Sequence, residues 1–224
     1  MVSLCRGDPE TLSDWLKADQ SSKVYSCLFW TLLGSSIYGA SIGIWRAPLQ
    51  AAYVAIKFPL LILLVTAGNA FINGMLAQLY GARISIRQSN LSVLMSFTTA
   101  SIILLSLSPL SYFLVYSCPP IGSEDAESAH RIIILVNVII IAFSGIISNV
   151  NLYRLLFQIT GLGTKSKQII FSWLAINLLL GGQLSWIMRP FIGTPYAPVQ
   201  FVRDNALDGN FFESVIESVA ILLK

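Results

Sequence analysis

The chain has 224 residues, of which 55% are hydrophobic and 11% charged, and its formal net charge is +3. Soluble domains carry about 25% charged residues. The composition, with a mean hydropathy of +0.72, therefore excludes an ordinary soluble domain and predicts an all-α, polytopic membrane helix bundle. The small net charge gives no reason to expect a nucleic-acid partner.

Residues 1–23 predict a short helix at the cytosolic membrane surface. Asp8 and Pro9 are a favourable N-cap and first helical residue. Three apolar side chains then fall on one face: Leu12, Trp15 and Leu16. Such a helix lies either in the membrane interface or on the protein's own surface. The segment lacks the features of a cleaved signal peptide, so we expect the first span to act as an uncleaved one.

Residues 24–188 form the predicted transmembrane bundle. About five apolar runs reach the ~20 residues that cross a bilayer: roughly Val24–Ile44, Phe58–Tyr80, Asn90–Tyr116, Arg131–Tyr153 and Gln168–Met188. We expect Pro48–Lys57 to be an interfacial segment that feeds the second span. In the first span, Ser35, Gly39 and Gly43 lie four residues apart, a spacing that lets another helix approach closely.

The distribution of basic residues predicts the orientation. With the N-terminus inside, the inner side holds eight Lys and Arg residues and the outer side six. Lys57 counts here among the outer-side cations. The bias is small, but both inner loops are short, basic and free of acidic residues. We therefore expect the N-terminus inside and the C-terminal tail outside.

Uncharged polar side chains recur inside the predicted spans. Seven amides form a predicted polar seam: Asn69, Asn73, Gln78, Asn137, Asn151, Asn177 and Gln183. Serines and glycines accompany them at helical spacing. Two interpretations remain open, because amides either hydrogen-bond between helices or line a path for a solute, an ion or a lipid headgroup.

The sequence predicts no catalytic, metal or cofactor site. Cys5, Cys27 and Cys118 are too scattered for a disulfide framework or a metal centre, and His130 is the only histidine. Acidic residues are absent between Asp19 and Glu124. Paired carboxylates and nucleophile–base sets are missing, so we expect that the protein is not an enzyme.

Residues 189–224 are predicted to form a third unit. Arg189 and three prolines follow the last span, and Trp186 and Arg189 are typical anchors at lipid headgroups. We predict an ordered, proline-stiffened interfacial segment over residues 189–201. The name lid is used below for residues 189–209, which lead from the last span to the tail helix. An amphipathic helix capped by Asn210 should follow it. The residues expected to contact a lipid, an anion or a partner are Trp186, Arg189, Arg203, Phe211 and Phe212. Alternatively, the lid simply covers the bundle's own end.

Lys57 and Pro59 stand at the entry to a span, and Gly81 lies in a small loop before a helix with a polar start. On these features the stretch from Pro48 to Tyr153 resembles the bacterial Yip1-like family of integral membrane proteins. The three prolines of the lid depart from that family's pattern. The resemblance implies a membrane-embedded organiser or partner-binding protein of the bacterial inner membrane, without catalytic residues.

Two functions follow as expectations. The first is a non-catalytic protein that organises membrane or binds a partner protein or lipid. The second is a homo-oligomeric channel or uncoupled transporter that uses the polar seam. The expected partners are membrane lipids, further copies of the chain and a second membrane protein.

Overall fold

A computed structural model describes residues 21–81, 85–160 and 164–213, together with Leu4, Arg6 and Asp14. The described chain is all-helical, as predicted, and contains five long helices: α1 (Ser21–Gly43), α2 (Pro48–Leu79), α3 (Ile86–Ser117), α4 (Ala126–Thr160) and α5 (Thr164–Ile187). The predicted N-terminal helix lies outside the described residues. So does the predicted C-terminal helix beyond Glu213.

Four of these helices are long and apolar enough to cross a membrane: Pro48–Leu76, Ile86–Ser117, Ala126–Gln158 and Lys167–Ile187. The chain is therefore an integral membrane protein with transmembrane helices. The predicted number of spans was about five, and α1 is the helix that does not meet this criterion. Its buried face carries small and polar residues such as Thr31 and Ser35, because that face packs against neighbouring helices instead of lipid.

Helix α2 differs from its predicted form. It runs without interruption from Pro48 to Leu79, so the predicted interfacial segment and the second span are one helix of 32 residues. Pro48 suits the first turn, where the amide needs no helical acceptor, and Pro59 lies inside the helix without ending it. At ~1.5 Å per residue the helix is about 48 Å long, more than the ~30 Å hydrocarbon core.

Helix α3 begins at a capping box that was not predicted from the sequence. Ser85 caps the helix, since its hydroxyl accepts a hydrogen bond from the amide of Gln88 and the Gln88 side chain accepts one from the amide of Ser85. A serine followed three residues later by glutamine is the pattern of a capping box. The capping box satisfies backbone donors that the first helical turn leaves without partners.

The predicted small-residue face of α1 is used within the chain. Helix α1 packs against α2 and α3. A β-carbon added at Gly39 would lie 2.7 Å from the backbone oxygen of Val54, and one at Gly43 would lie 2.9 Å from Ala51. Gly34 makes the closest approach, against the backbone oxygen of Ser101. These glycines therefore set the helix–helix distances inside one molecule.

We predict that Gly34→Ala destabilises the fold by about 1–3 kcal/mol, the usual cost of overpacking. The added methyl meets a backbone carbonyl of α3, which cannot move aside as a flexible side chain would. Thermal unfolding in detergent measures the effect. Gly145→Ala in α4 is the matched control, because a β-carbon there meets nothing within 4 Å. An equal melting temperature for wild type and Gly34→Ala would refute this packing.

Candidate functional site

The lid lies over the end of the bundle where α1 ends, α2 begins and α5 ends. It has no regular secondary structure, and the Arg189–Pro190 peptide bond is cis. Gly193 and Gly209 have φ values of 81° and 69°, a left-handed conformation in which glycine is unstrained. Because irregular backbone leaves its carbonyls without ladder partners, the lid needs donors from elsewhere.

Lys57 is the central donor. Its side chain is fully buried, with 0% exposure. Its Nζ donates to the backbone oxygens of Met188 at 3.2 Å, Phe201 at 2.7 Å and Pro190. The ammonium also lies 5.4 Å from the ring centres of Phe191 and Phe201. The structure places no described carboxylate within ion-pair distance of Lys57. Carbonyl dipoles and aromatic faces therefore compensate the buried charge.

Two more side chains near the start of α2 bind the lid in the same way. The Nε2 of Gln50 donates to the backbone oxygens of Pro190 and Phe191, at 3.0 Å and 2.9 Å. The Nη2 of Arg46 donates to the oxygen of Ala197 at 2.8 Å. With Lys57, these residues form what we call the carbonyl clamp: Arg46, Gln50 and Lys57. The clamp fixes the lid to the bundle through main-chain atoms.

This clamp was not predicted from the sequence. Lys57 was expected to end a separate interfacial segment, whereas it lies fully buried within the continuous helix α2. The available signal was a lone ionisable residue in a long apolar run, a feature that marks a functional or structural site by default. The carbonyl partners of Lys57 lie 131 to 144 positions further along the chain, and no local pattern reveals them.

The predicted residues Trp186, Arg189 and Arg203 come together at the end of α5. The guanidinium of Arg189 lies over the Trp186 indole, and that of Arg203 lies 5.0 Å from the ring centre. Arg189 Nε donates to the Trp186 backbone oxygen at 3.0 Å. The Arg203 amide donates to the Arg189 oxygen at 3.3 Å. Asp208 contributes its backbone oxygen, which accepts from Trp186 Nε1 and Arg203 Nη2.

Two guanidinium groups therefore lie against one indole. None of the described carboxylates lies within ion-pair distance of Arg189 or Arg203, although Asp204, Asp208 and Glu213 are nearby in the chain. Arg189 Nη2 and Arg203 Nε have no hydrogen-bond partner. Burial, followed by repulsion from Arg203, lowers the pKa of Arg189 to about 10. Arg189 thus remains charged at neutral pH.

Phe211 and Phe212 begin the helix after the lid. Asn210 Oδ1 accepts a hydrogen bond from the Glu213 amide at 2.9 Å, which confirms the predicted cap. The Phe211 ring packs on α5 at Gly182, where an added β-carbon would lie 2.9 Å from it. The Phe211 amide also donates to Gln183 Oε1 at 3.3 Å. Phe211 therefore attaches the tail to the bundle, in addition to any contact with a lipid or a partner.

The predicted polar seam is divided between different helix interfaces. Between α2 and α5, Asn69 Nδ2 donates to Asn177 Oδ1, and Trp173 Nε1 donates to the Asn73 backbone oxygen at 2.9 Å. Among α1, α3 and α4, Asn137 Oδ1 accepts from Tyr38 at 2.7 Å and from Ser111 at 2.9 Å.

The remaining seam residues lie elsewhere. Gln78 is exposed, Asn151 is half-buried on α4, and Gln183 binds the start of the tail helix. Within the described residues, the side-chain amides of Asn69 and Asn137 therefore join helices to one another. Some buried atoms of the seam have no hydrogen-bond partner. These are Asn69 Oδ1 and both side-chain polar atoms of Asn73, although both residues are fully buried.

A small apolar cavity of about 250 Å³ opens at the same end of the bundle as the lid. Its walls come from the ends of α1 and α3 and the following loop: Ile44, Trp45, Tyr112, Val115, Tyr116, Cys118 and Pro120. Trp45 stacks on His130 and donates to the Pro119 backbone oxygen at 3.2 Å. In the described part of the chain no group of three or more His, Cys, Asp and Glu residues is placed to hold a metal ion.

Comparisons with known proteins yield no match to a family model, to a curated protein or to a solved structure. The resemblance to the Yip1-like family therefore stays a prediction. The function must be argued from the geometry of the lid.

We predict that Lys57→Met loosens the lid, because three backbone carbonyls lose their common hydrogen-bond donor. Each carbonyl that stays unpaired should lower the stability of the closed lid by about 1–3 kcal/mol. Methionine keeps the length of the side chain without its charge. The Arg203 amide is protected by its hydrogen bond to the Arg189 backbone oxygen within the lid. Its hydrogen exchange should therefore be at least about tenfold faster in the variant. Lys167→Met, an exposed lysine at the opposite end of α5, is the control. Unchanged exchange in the lid of Lys57→Met would refute the clamp.

Proposed function

We propose that the protein is a non-catalytic membrane component whose lid binds a membrane lipid at headgroup level. The observation that carries this proposal is the pair Arg189 and Arg203. Arg189 follows directly after the Lys167–Ile187 span, the lid brings Arg203 back to the same tryptophan, and neither has a carboxylate partner among the described residues. Positive side chains beside a tryptophan at the end of a span meet the headgroup layer. The lid presents them on a backbone that the carbonyl clamp holds in place.

The order of the lid supports binding rather than passive covering. A segment that only covered the bundle's end would gain most by turning its large apolar groups inward. Instead, Tyr196 and Leu207 each remain 80% exposed, while the clamp binds the lid's carbonyls from below. Exposed aromatic and aliphatic side chains in the same segment as these arginines suit contact with headgroups and the upper acyl chains.

The orientation and the host membrane belong to the same proposal. The charge bias of the loops favours a lid on the outer side of a bacterial inner membrane, with the N-terminus inside. A lid in that position meets the outer-leaflet headgroups.

Lipid retention tests the proposed function. We expect native mass spectrometry of the protein, released from membranes in mild detergent, to show a bound lipid that survives delipidation. We also expect an anionic lipid to rebind more tightly than phosphatidylcholine, because the lid end carries unpaired cations. Lys167→Gln, which removes a cation from the opposite end, should retain lipid like wild type. Complete loss of every lipid from wild type at the first detergent exchange would contradict the proposal.

A second candidate function is a channel or uncoupled transporter that uses the interface between α2 and α5. The observation that favours it is Asn73, an amide with no partner at 0% exposure in an apolar span. Unpaired buried amides are costly and often mark an unseen water or solute. A path through this interface would require α2 and α5 to separate where Asn69 and Asn177 now bond.

Flux measurements test this candidate. If the interface conducts, Asn69→Leu together with Asn73→Leu should abolish solute flux into liposomes, because the path loses its polar groups. Asn137→Leu, at the other polar cluster, is the matched control and should reduce stability without a selective loss of flux. Wild-type liposomes that conduct no tested ion or small polar solute would eliminate this function.

A further inference from the structure

The guanidinium groups of Arg189 and Arg203 both lie against the Trp186 ring, and this arrangement points to the chemistry of their ligand. Arg189 extends from the end of α5, and Arg203 returns to the same indole from the far end of the lid. The hydrogen bond from the Arg203 amide to the Arg189 oxygen fixes their backbones side by side at 3.3 Å. Two like charges are thus held together by main-chain geometry and not by a shared acid.

A structural role accounts for part of this arrangement. Arg189 Nε caps the carbonyl of Trp186, and cations are favourable at the negative end of a helix. One arginine would satisfy that role. The second guanidinium adds repulsion and burial cost, and it makes one 3.4 Å hydrogen bond through Nη2. Helix capping therefore does not account for the pair.

We propose that Arg189 and Arg203 bind a phosphate group together, with Trp186 as the aromatic platform beneath them. This inference rests on the proposed function and specifies the ligand of the same site. Guanidinium forks match phosphate oxygens bidentately, and a phosphate has enough oxygens to accept from two forks at once. A carboxylate offers only two oxygens and one negative charge to the two forks, whereas a phosphate monoester offers three oxygens and a larger negative charge.

The position of the pair agrees with a lipid phosphate. Arg189 lies two residues beyond the apolar span, at the depth where headgroup phosphates begin. Both arginines are only partly buried, so a ligand can approach from the interface. Free phosphate has the same chemistry, and the experiment separates the two sources.

The test measures ligand binding by wild-type protein, the double variant Arg189→Gln/Arg203→Gln and the control Arg131→Gln. Arg131 is an exposed arginine near the same end, paired with Glu127 at 2.6 Å. Phosphatidic acid and oleate, at equal mole fraction in phosphatidylcholine nanodiscs, compare phosphate with carboxylate. Inorganic phosphate, titrated into delipidated protein in detergent, represents the free source.

We expect phosphatidic acid to bind wild type and Arg131→Gln equally, and the double variant at least about tenfold more weakly. Oleate should bind wild type more weakly than phosphatidic acid. Stabilisation by inorganic phosphate without binding of phosphatidic acid would support the site with a free ligand and would contradict the lipid function. Equal binding of phosphatidic acid to wild type and the double variant would overturn this inference while leaving the lipid function intact.

Two further outcomes would also overturn the inference. Oleate binding as tightly as phosphatidic acid would exclude phosphate selectivity, and binding of neither lipid nor phosphate by wild type would exclude both proposals. Hydrogen exchange at position 203 shows whether the lid of the double variant is intact. If it is not, the wild-type protein alone decides the outcome. At least one of the two phosphate ligands, inorganic phosphate or phosphatidic acid, must then raise its melting temperature more than oleate does and more than sodium chloride does at equal ionic strength.

Discussion

The buried ammonium of Lys57 is the constraint on which the arrangement of the lid depends. A charge without a carboxylate is costly in a membrane protein, and here three carbonyls and two phenyl rings compensate it. The compensation works in both directions, because the same carbonyls belong to a segment without regular secondary structure. The lid's carbonyls compensate the charge of Lys57, and Lys57 supplies those carbonyls with a hydrogen-bond donor.

This mutual dependence explains why an irregular segment can present a defined surface. Gln50 and Arg46 extend the clamp towards the start of α2. Residues that follow the clamped carbonyls are then fixed as well, and Arg203 lies two positions after Phe201. The clamp thus helps to fix the backbone positions from which the two arginine side chains extend. A surface built in this way recognises a ligand with little loss of conformational entropy on binding.

Much of the fold could be predicted from the sequence, because apolar runs of about 20 residues have few alternatives to membrane-crossing helices. Length alone does not show that a proline such as Pro59 lies within a helix, so α2 was predicted to begin one segment too late. The small residues of α1 were interpreted correctly as a site of close approach. The spacing of Gly39 and Gly43 does not show whether the approaching helix belongs to the same molecule or to a second copy, because that depends on tertiary packing.

The candidate site was predictable in its outer part. Trp186, Arg189 and Arg203 follow the rule that aromatic and basic residues gather where spans end. The carbonyl clamp could not be predicted, because Lys57 and its acceptors are far apart in the sequence. Every residue has a backbone carbonyl, so no residue type marks the acceptors. The residues of the polar seam were predicted, but their pairing was not. Helical spacing shows on which face of its helix an amide lies, and it does not show which residue of another helix the amide contacts. Only the structure assigns Asn69 to Asn177 and Asn137 to Tyr38.

The most direct test of the central claim is solid-state NMR of the protein in lipid bilayers, with ¹⁵N at the lysine Nζ and ¹³C at the methionine and phenylalanine carbonyls. The Lys57→Met variant identifies the Lys57 signal. The clamp predicts strong ¹⁵N–¹³C dipolar dephasing at that signal, because the ammonium donates directly to the carbonyls of Met188 and Phe201. A Lys57 resonance without such dephasing, or one that exchanges freely with water, would contradict the account of how the lid is held.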